Sequence, residues 1–208
     1  MTRLAFIGGG GFAKEVLEIA ELNGHQVVGY VADSEGVLGR PFWGAKERLA
    51  ERRDEFDGVC IAFGAINRKS VLSRRGLIEW AVGNGYGCEP LVSPHAVRSS
   101  GVEIGPGTIV AHGAVISVDA RIGSFAILNT GAIIGHDAIV GDNVTVAPAA
   151  FIGGTTEIGR DSLIGPGASV LQSLRVGSEV VVGTGASVVR SVPDGATVMP
   201  LRSKTLKG

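Results

Sequence analysis

The chain is poor in aromatic residues, cysteine and net charge. Aromatic residues make up 5% of its 208 residues, which suits a narrow interior lined by Ile, Val and Ala. A formal net charge of −1 gives no field to attract nucleic acid or an anionic membrane. No apolar run approaches the roughly 18 residues of a membrane span, and the N-terminus lacks the features of a signal peptide. Cys60 and Cys88 lack metal-ligand spacing and indicate a reducing compartment, so we expect a cytoplasmic protein.

The most regular feature is a branched aliphatic residue at every sixth position of residues 104–188. Glycine follows many of these positions, and a small or apolar residue stands four places after each. Neither a helix of period 3.6 nor an alternating strand produces a period of six, so the pattern predicts a parallel β-helix. The positions are Ile104, Val110, Ile116, Ile122, Leu128, Ile134, Val140, Val146, Ile152, Ile158, Ile164, Val170, Val176, Val182 and Val188.

Each hexapeptide supplies one short strand and one corner of a triangular coil. The aliphatic side chain points inward, and glycine at a corner adopts conformations that a Cβ would disfavour. Three hexapeptides close a coil, so residues 18 apart stack in columns. The fifteen repeats predict five coils, about 24 Å tall at roughly 4.8 Å per coil.

The N-terminal part of the chain has the pattern of an α/β domain that binds a nucleotide. Residues 4–7 form an apolar run that ends in four glycines, residues 12–22 have helical spacing, and residues 26–31 predict a second strand before Asp33. Glycines let the backbone approach a phosphate, a helix N-terminus offers free N–H groups, and an acid accepts from a sugar or base. The alternative is a plain tight turn, with Asp33 a helix cap or loop acid.

A second apolar run completes this domain. Residues 59–63 predict a buried parallel strand that ends in Gly64, at the crevice where such sheets bind ligands. Residues 68–84 have the pattern of a helix. We therefore expect a Rossmann-like sugar-nucleotide domain in residues 1–90 and a β-helix with a C-terminal tail in residues 91–208.

Three motifs resemble the bacterial nucleotide-amino-sugar acetyltransferases of the hexapeptide-repeat superfamily. They are FIGGGGFAKEV at residues 6–16, IAFG at residues 61–64 and the repeated unit Ile-Gly-x-x-Ala-x. The resemblance extends over nearly the whole chain and includes relatives that act on sialic acid, diacetamido sugars and perosamine. It implies a left-handed coil, contrary to the usual right-handed crossover, and a homotrimer with acyl-CoA sites between neighbouring solenoids. It also implies acetyl-CoA as co-substrate, a nucleotide-linked amino sugar as acceptor, and no metal.

His136 is the candidate catalytic base. Transfer of an acyl group from a thioester to an amine needs a base, and imidazole suits this task near neutral pH. His136 occupies an outward corner, and the neighbouring Asp137 is placed to orient the ring. Gly154 stacks on His136 and is expected to leave an unfilled notch for the pantetheine arm. The alternative is an exposed corner residue of no consequence, which is also the expectation for His112, unless His112 lies at a subunit contact.

The resemblance assigns further roles residue by residue. The family's base and its acid match His136 and Asp137. Positions that hold the sugar nucleotide match Gly10, Gly11, Phe12, Asp33 and Gly64, and positions near coenzyme A match Asn129, Thr145, Gly154, Pro166 and Thr184. Some relatives have histidine where this chain has Phe12 or Thr145. The cationic segment 201–207 is expected near the nucleotide end of coenzyme A.

The resulting hypothesis is direct N-acetylation of a nucleotide-linked amino sugar by acetyl-CoA. O-acetylation of a sugar or of sialic acid, or use of another acyl donor, is the first alternative. A zinc hydratase of the carbonic anhydrase type needs about three histidine ligands, whereas the repeat offers His112 and His136. A non-catalytic sugar-nucleotide sensor would leave the His–Asp pair idle.

Overall fold

The computed structural model of the chain describes residues 2–200. Segment 201–207, for which we predicted a contact with coenzyme A, lies outside the described residues. Two units follow one another: an α/β domain with a three-stranded sheet, and a solenoid of short parallel strands. In residues 2–200, no helix has both the length and the apolar character needed to cross a membrane.

The α/β domain is built on a parallel sheet in the order β2-β1-β3. The predicted third strand is shorter than expected and ends at Ile61, because the central strand ends at its partner Ile7 and leaves nothing for Ala62 and Phe63 to pair with. The elements in chain order are β1 (Arg3–Ile7), α1 (Gly11–Leu22), β2 (Gln26–Val31), a kinked 3-10 helix (Lys46–Glu55), β3 (Gly58–Ile61) and α2 (Arg68–Gly83).

The solenoid is a triangular prism whose three faces are parallel sheets of seven, six and five two-residue strands, which we name faces A, B and C. Face A contains Leu91–Val92, Ile109–Val110, Ile127–Leu128, Thr145–Val146, Leu163–Ile164, Val181–Val182 and Thr197–Val198. Face B contains Val97–Arg98, Val115–Ile116, Ile133–Ile134, Phe151–Ile152, Ser169–Val170 and Ser187–Val188. Face C contains Glu103–Ile104, Arg121–Ile122, Ile139–Val140, Glu157–Ile158 and Arg175–Val176.

We name the turns between strands by the faces they join: edges AB, BC and CA. Paired strands are 18 residues apart, as in Ile127↔Thr145, so the predicted period and its columns are confirmed. The solenoid has about six coils rather than five. It extends beyond the regular repeat at both ends, beginning with Leu91–Val92 and closing its last coil two residues early, where Val182 pairs with Val198.

The interior of the solenoid is a column of aliphatic and small side chains. Most inward residues of the regular repeat are almost completely inaccessible, whereas Ile104 and Leu174 are partly buried. Each fully buried aliphatic contributes about 1.5–3 kcal/mol. Thr108 shows how a polar residue fits at the small position: its Oγ1 donates to the Gly123 carbonyl at 2.6 Å and accepts from the Ala126 N–H at 3.0 Å. Buried hydroxyls with partners on the next coil therefore add to the cohesion of the stack.

The α/β domain packs on face A and edge CA. Leu91, Ile109 and Ala111 of the solenoid join an apolar cluster with β1 and α1, and Leu163 packs on Val71 of α2. Because face A is covered, edge BC is the part of the prism that lies farthest from the α/β domain.

Candidate functional site

A cavity of about 850 Å³ opens at the carboxyl ends of the strands of the α/β domain. All five residues assigned to the sugar nucleotide line it: Gly10, Gly11, Phe12, Asp33 and Gly64. The topology explains this convergence, because parallel strands deliver their following loops to one side of the sheet. The side chain of Asp33 is exposed to the cavity mouth, where it can accept a hydrogen bond.

The four consecutive glycines divide into two pairs. Gly8 has φ +115°, and a Cβ there would lie 2.7 Å from the Ala62 carbonyl oxygen, while a Cβ on Gly9 would collide with the ring of Tyr30. A Cβ on Gly10 or Gly11 would meet no atom within 4 Å. The first pair is required by the fold, whereas the second leaves open space in the cavity that the plain-turn alternative does not explain.

Two helix N-termini border the cavity, and they differ in their capping. The N-cap of α1 is Gly10, which supplies no side-chain hydrogen bond to the first-turn N–H groups. In α2 the Asn67 side chain accepts from the Ser70 N–H at 2.9 Å, and Ser70 Oγ accepts from the Asn67 N–H at 3.0 Å. The first turn of α1 therefore has N–H groups available for an anion, while part of the α2 terminus is already occupied.

The sequence did not lead us to expect Lys46, Lys69 and Ile66 at this cavity. Lys46 and Lys69 line it beside Glu47 and are cations that a phosphate can recruit, although the Lys46 ammonium lies over the Trp80 ring, 5.4 Å from its centroid. Ile66 also lines it and is 83% exposed. The available signal was the position of Lys69 in the first turn of the helix that follows Gly64, since a cation there must lie at the same sheet edge.

His136 and Asp137 form a hydrogen-bonded pair on edge BC. His136 Nδ1 lies 2.8 Å from Asp137 Oδ2, and the two side chains are 61% and 56% exposed. An ionised carboxylate only accepts, so in the neutral imidazole Nδ1 carries the hydrogen and Nε2 has the lone pair. Asp137 has φ +56°, a left-handed corner conformation that Asp tolerates better than most residues.

The expectation of an unfilled notch beside His136 is wrong. A Cβ on Gly154 would lie 2.6 Å from His136 Nε2 and 2.8 Å from Cε1, so the imidazole itself occupies that space. The reason is that the ring folds along its column instead of projecting from the corner. The absence of a side chain at Gly154 thus allows the ring to lie where it does.

Four of the five residues assigned to coenzyme A line a second cleft, of about 260 Å³, where face A meets edge AB. They are Asn129, Thr145, Pro166 and Thr184. Gly154 is not among the residues that line this cleft, because it lies on edge BC with His136. Thr145 is 3% exposed, and its Oγ1 has no hydrogen-bond partner within residues 2–200.

Ile66 lines both the cavity of the α/β domain and this cleft, so the two spaces are neighbours. His136 is separated from both, since it lies on the edge opposite face A. Within one chain, the predicted binding residues and the predicted base are therefore on different sides of the prism.

His112 lies on edge AB, inside the seam between the two units. Its Nδ1 is 2.6 Å from Ser93 Oγ, and its Nε2 is 3.7 Å from Glu18 Oε2 on α1. The alternative of a free surface position is wrong for His112, because its Nε2 is buried and faces Glu18 of the α/β domain. Residues 2–200 contain no group of three or more metal-ligating side chains close enough to hold an ion.

Comparison with known proteins gave consistent matches along the whole chain. Residues 3–75 match the PglD N-terminal domain. A variant of perosamine N-acetyltransferase from Caulobacter crescentus, solved with CoA and GDP-perosamine, is 32% identical with a TM-score of 0.90, covering 100% of this chain and 98% of that one. The acetyltransferase domain of PglB from Neisseria gonorrhoeae FA1090, solved with acetyl coenzyme A, is 33% identical with a TM-score of 0.87, covering 99% of each chain.

WeeI from Acinetobacter baumannii AYE is 26% identical with a TM-score of 0.83, covering 94% of this chain and 96% of that one. No curated protein sequence matches the chain. The matches confirm the predicted fold class, a Rossmann-like α/β domain followed by a left-handed parallel β-helix.

Proposed function

Because the chain belongs to the hexapeptide-repeat acetyltransferases that act on nucleotide-linked amino sugars, we propose that it transfers an acetyl group from acetyl-CoA to the amine of such a sugar. Residues 1–90 bind the nucleotide and residues 91–208 carry the chemistry. The observation that carries the mechanism is the His136–Asp137 pair, exposed on edge BC with Nε2 free to accept a proton.

The proposed reaction is a direct transfer without an acyl-enzyme. The acceptor amine attacks the thioester carbonyl, the C–N bond forms, and His136 Nε2 takes a proton from the amine. Collapse of the tetrahedral intermediate breaks the C–S bond, and the thiolate of coenzyme A takes the proton from the imidazolium. Asp137 keeps the ring in the required tautomer and stabilises its charged form. The Gly154 N–H makes no hydrogen bond within residues 2–200 and is a candidate donor to the oxyanion.

The cavity of the α/β domain is the proposed site of the nucleotide. The free N–H groups of α1, the open space at Gly10 and Gly11, and the cations Lys46 and Lys69 suit a diphosphate. Asp33 suits a ribose or base donor. The neighbouring cleft at Asn129, Pro166 and Thr184 is the proposed path of coenzyme A, and Thr145 Oγ1 is a buried hydroxyl that a ligand can satisfy.

A site complete in one chain is incompatible with this division, so we propose a homotrimer with three sites between neighbouring chains. His136 of one chain then meets the cavity and cleft of the next. The outward residues of face B support this assembly, because Val97, Ile133 and Phe151 are 55%, 42% and 37% exposed and form an apolar stripe.

The test is acetylation of UDP-, GDP- and dTDP-linked amino sugars by the purified protein, followed by mass spectrometry. An alkali-stable acetamide supports N-transfer, whereas an alkali-labile ester identifies O-transfer. His136→Ala should lower kcat by about 10²–10⁴-fold with both substrates still bound, as expected for loss of a general base. Turnover by His136→Ala within twofold of the wild type would remove His136 from the mechanism.

A further inference from the structure

Arg74 is a buried cation that joins the nucleotide cavity to the solenoid. It belongs to α2, and none of its surface is exposed. Its Nη1 donates to the Phe125 carbonyl at 2.5 Å and to Asn143 Oδ1 at 2.6 Å, both on edge CA. Its Nε donates to the Phe63 carbonyl at 3.0 Å. Phe63 and Gly64 line the nucleotide cavity, so one side chain holds the cavity wall and two coils of the solenoid together.

Within residues 2–200, no carboxylate contacts Arg74 directly: Asp161 enters its network through Asn143, whose Nδ2 donates to Asp161 Oδ1 at 2.7 Å. The three acceptors of Arg74 are neutral groups, and its Nη2 has no partner in the described part of the chain. Burial lowers the pKa of Arg74 to about 10. Burying a guanidinium without an anion costs stability, and its hydrogen bonds offset only part of that cost. The arrangement is therefore better explained by the geometry it imposes than by the stability it adds.

The adjacent Arg75 provides the contrast. Its Nη1 lies 3.0 Å from both Asp161 Oδ2 and Glu179 Oε1, so it also ties α2 to edge CA. Unlike Arg74, it makes no hydrogen bond to the loop that follows β3. The two residues thus share a helix, a charge and a solenoid edge but differ in contact with the cavity wall.

We propose that Arg74 is a positioning residue for the acceptor substrate. By fixing the Phe63 carbonyl relative to Phe125 and Asn143, it sets the position of the bound nucleotide relative to the solenoid of the same chain, which carries the cleft proposed for coenzyme A. Removing it leaves the binding groups in place but lets the loop at residues 63–64 shift. This proposal rests on the proposed function, in which the cavity holds the nucleotide of the acceptor.

The experiment compares Arg74→Met, Arg74→Lys and the matched control Arg75→Met in the full-length protein. Arg74→Met should raise KM for the nucleotide amino sugar and lower kcat, each by roughly tenfold. A misplacement of a reacting group by about 1 Å can cost about 10²-fold in rate, so a tenfold effect corresponds to a smaller shift of the loop. KM for acetyl-CoA should stay within about twofold, because Arg74 does not touch the cleft on face A. Arg74→Lys keeps a cation without the fork and should recover part of the loss.

Arg75→Met should lower the melting temperature and leave both KM values and kcat unchanged, which separates anchoring of α2 from positioning of the loop. Equal kinetic losses in the Met variants at positions 74 and 75, or a loss of acetyl-CoA affinity in Arg74→Met, would overturn the proposal. Failure of both Arg74 variants to fold would also overturn it, because Arg74 would then be structural.

Calorimetric titration with UDP, GDP and dTDP keeps this proposal separable from the proposed function. A weakened nucleotide affinity in Arg74→Met but not in Arg75→Met supports the positioning role even if no amino sugar is acetylated. The positioning role is contradicted if Arg74→Met has the nucleotide affinity, the KM values and the kcat of the wild type.

Discussion

Replacement of Gly154 by alanine tests the placement of His136 without removing either member of the proposed catalytic pair. The new Cβ would lie 2.6 Å from His136 Nε2, 2.8 Å from Cε1 and 2.9 Å from Cδ2. Normal non-bonded separations are near 3.5 Å, so the ring must move by about 1 Å. The imidazole is an exposed side chain, and Gly154 has no positive φ, so the movement should cost the fold less than about 1 kcal/mol.

The same movement should have a large effect on the reaction. Misplacement of a catalytic group by about 1 Å lowers rates by up to about 10²-fold, so Gly154→Ala should lose 10- to 100-fold in kcat. The assay is thiol release from acetyl-CoA at saturating concentrations of both substrates, with the melting temperature measured on the same preparation.

The neighbouring Gly153 supplies the matched control. A Cβ on Gly153 would collide with the backbone N of Gln172 on the next coil, which cannot move as a side chain can. Gly153→Ala should therefore lower the melting temperature by several degrees, whereas Gly154→Ala should not. Two results would contradict this reasoning: Gly154→Ala keeps more than half of the wild-type kcat, or its melting temperature falls as far as that of Gly153→Ala. Either result would mean that the position of the imidazole over Gly154 does not determine the rate.

Four further outcomes are expected. Gly11→Val should fold normally and keep its affinity for acetyl-CoA, because the added side chain meets only the open cavity, while the KM for the sugar nucleotide rises in steady-state kinetics. Thr145→Val should leave the melting temperature unchanged, since its hydroxyl has no partner to lose within residues 2–200, and should raise the KM for acetyl-CoA by roughly fivefold, the size of one hydrogen bond. Thr108→Val breaks two buried hydrogen bonds, so it should lower the melting temperature and leave the KM for acetyl-CoA unchanged. Ile133→Lys should yield monomers in light scattering and abolish turnover, and an active monomer would contradict the shared site. Burial raises the pKa of the Cys60 thiol to about 12, so its thiolate is scarce at pH 8 and a disulfide reagent should modify it only after unfolding; rapid native labelling would refute this.

The solenoid could be predicted from sequence because its information is local and periodic. Six residues specify a strand and a corner, and each repeat supports the interpretation of the next. Counting in steps of 18 residues therefore predicted the column that places Gly154 on His136. The orientation of the His136 ring could not be predicted in this way, because counting does not say whether the ring projects from the corner or lies along the column. Rotamer choice depends on contacts that no repeat encodes.

The convergence of the five residues assigned to the sugar nucleotide on one cavity was also predictable, since the loops after parallel strands meet at one sheet edge. The separation of His136 from the cleft at Thr145 could not be predicted from the sequence, because it depends on which face of the solenoid the α/β domain covers. That choice is made by side chains far apart in sequence, such as Arg74 and Asn143, whose pairing has no signature in either segment alone.

The left-handed corner at Asp137 has an evolutionary consequence. The equivalent positions of the neighbouring coils are also left-handed, with Asp119 at φ +56° and Thr155 at φ +55°. Asp and Asn are among the residues that this backbone accepts most readily, so an acid at such a corner is favoured by the coil before any chemistry is selected. Acquiring a His–Asp pair then takes one substitution at the residue before it, and one coil below the present pair, Val118 already precedes Asp119. The scaffold thus places a second potential His–Asp pair one amino-acid replacement away, at Val118, one coil below on the same edge.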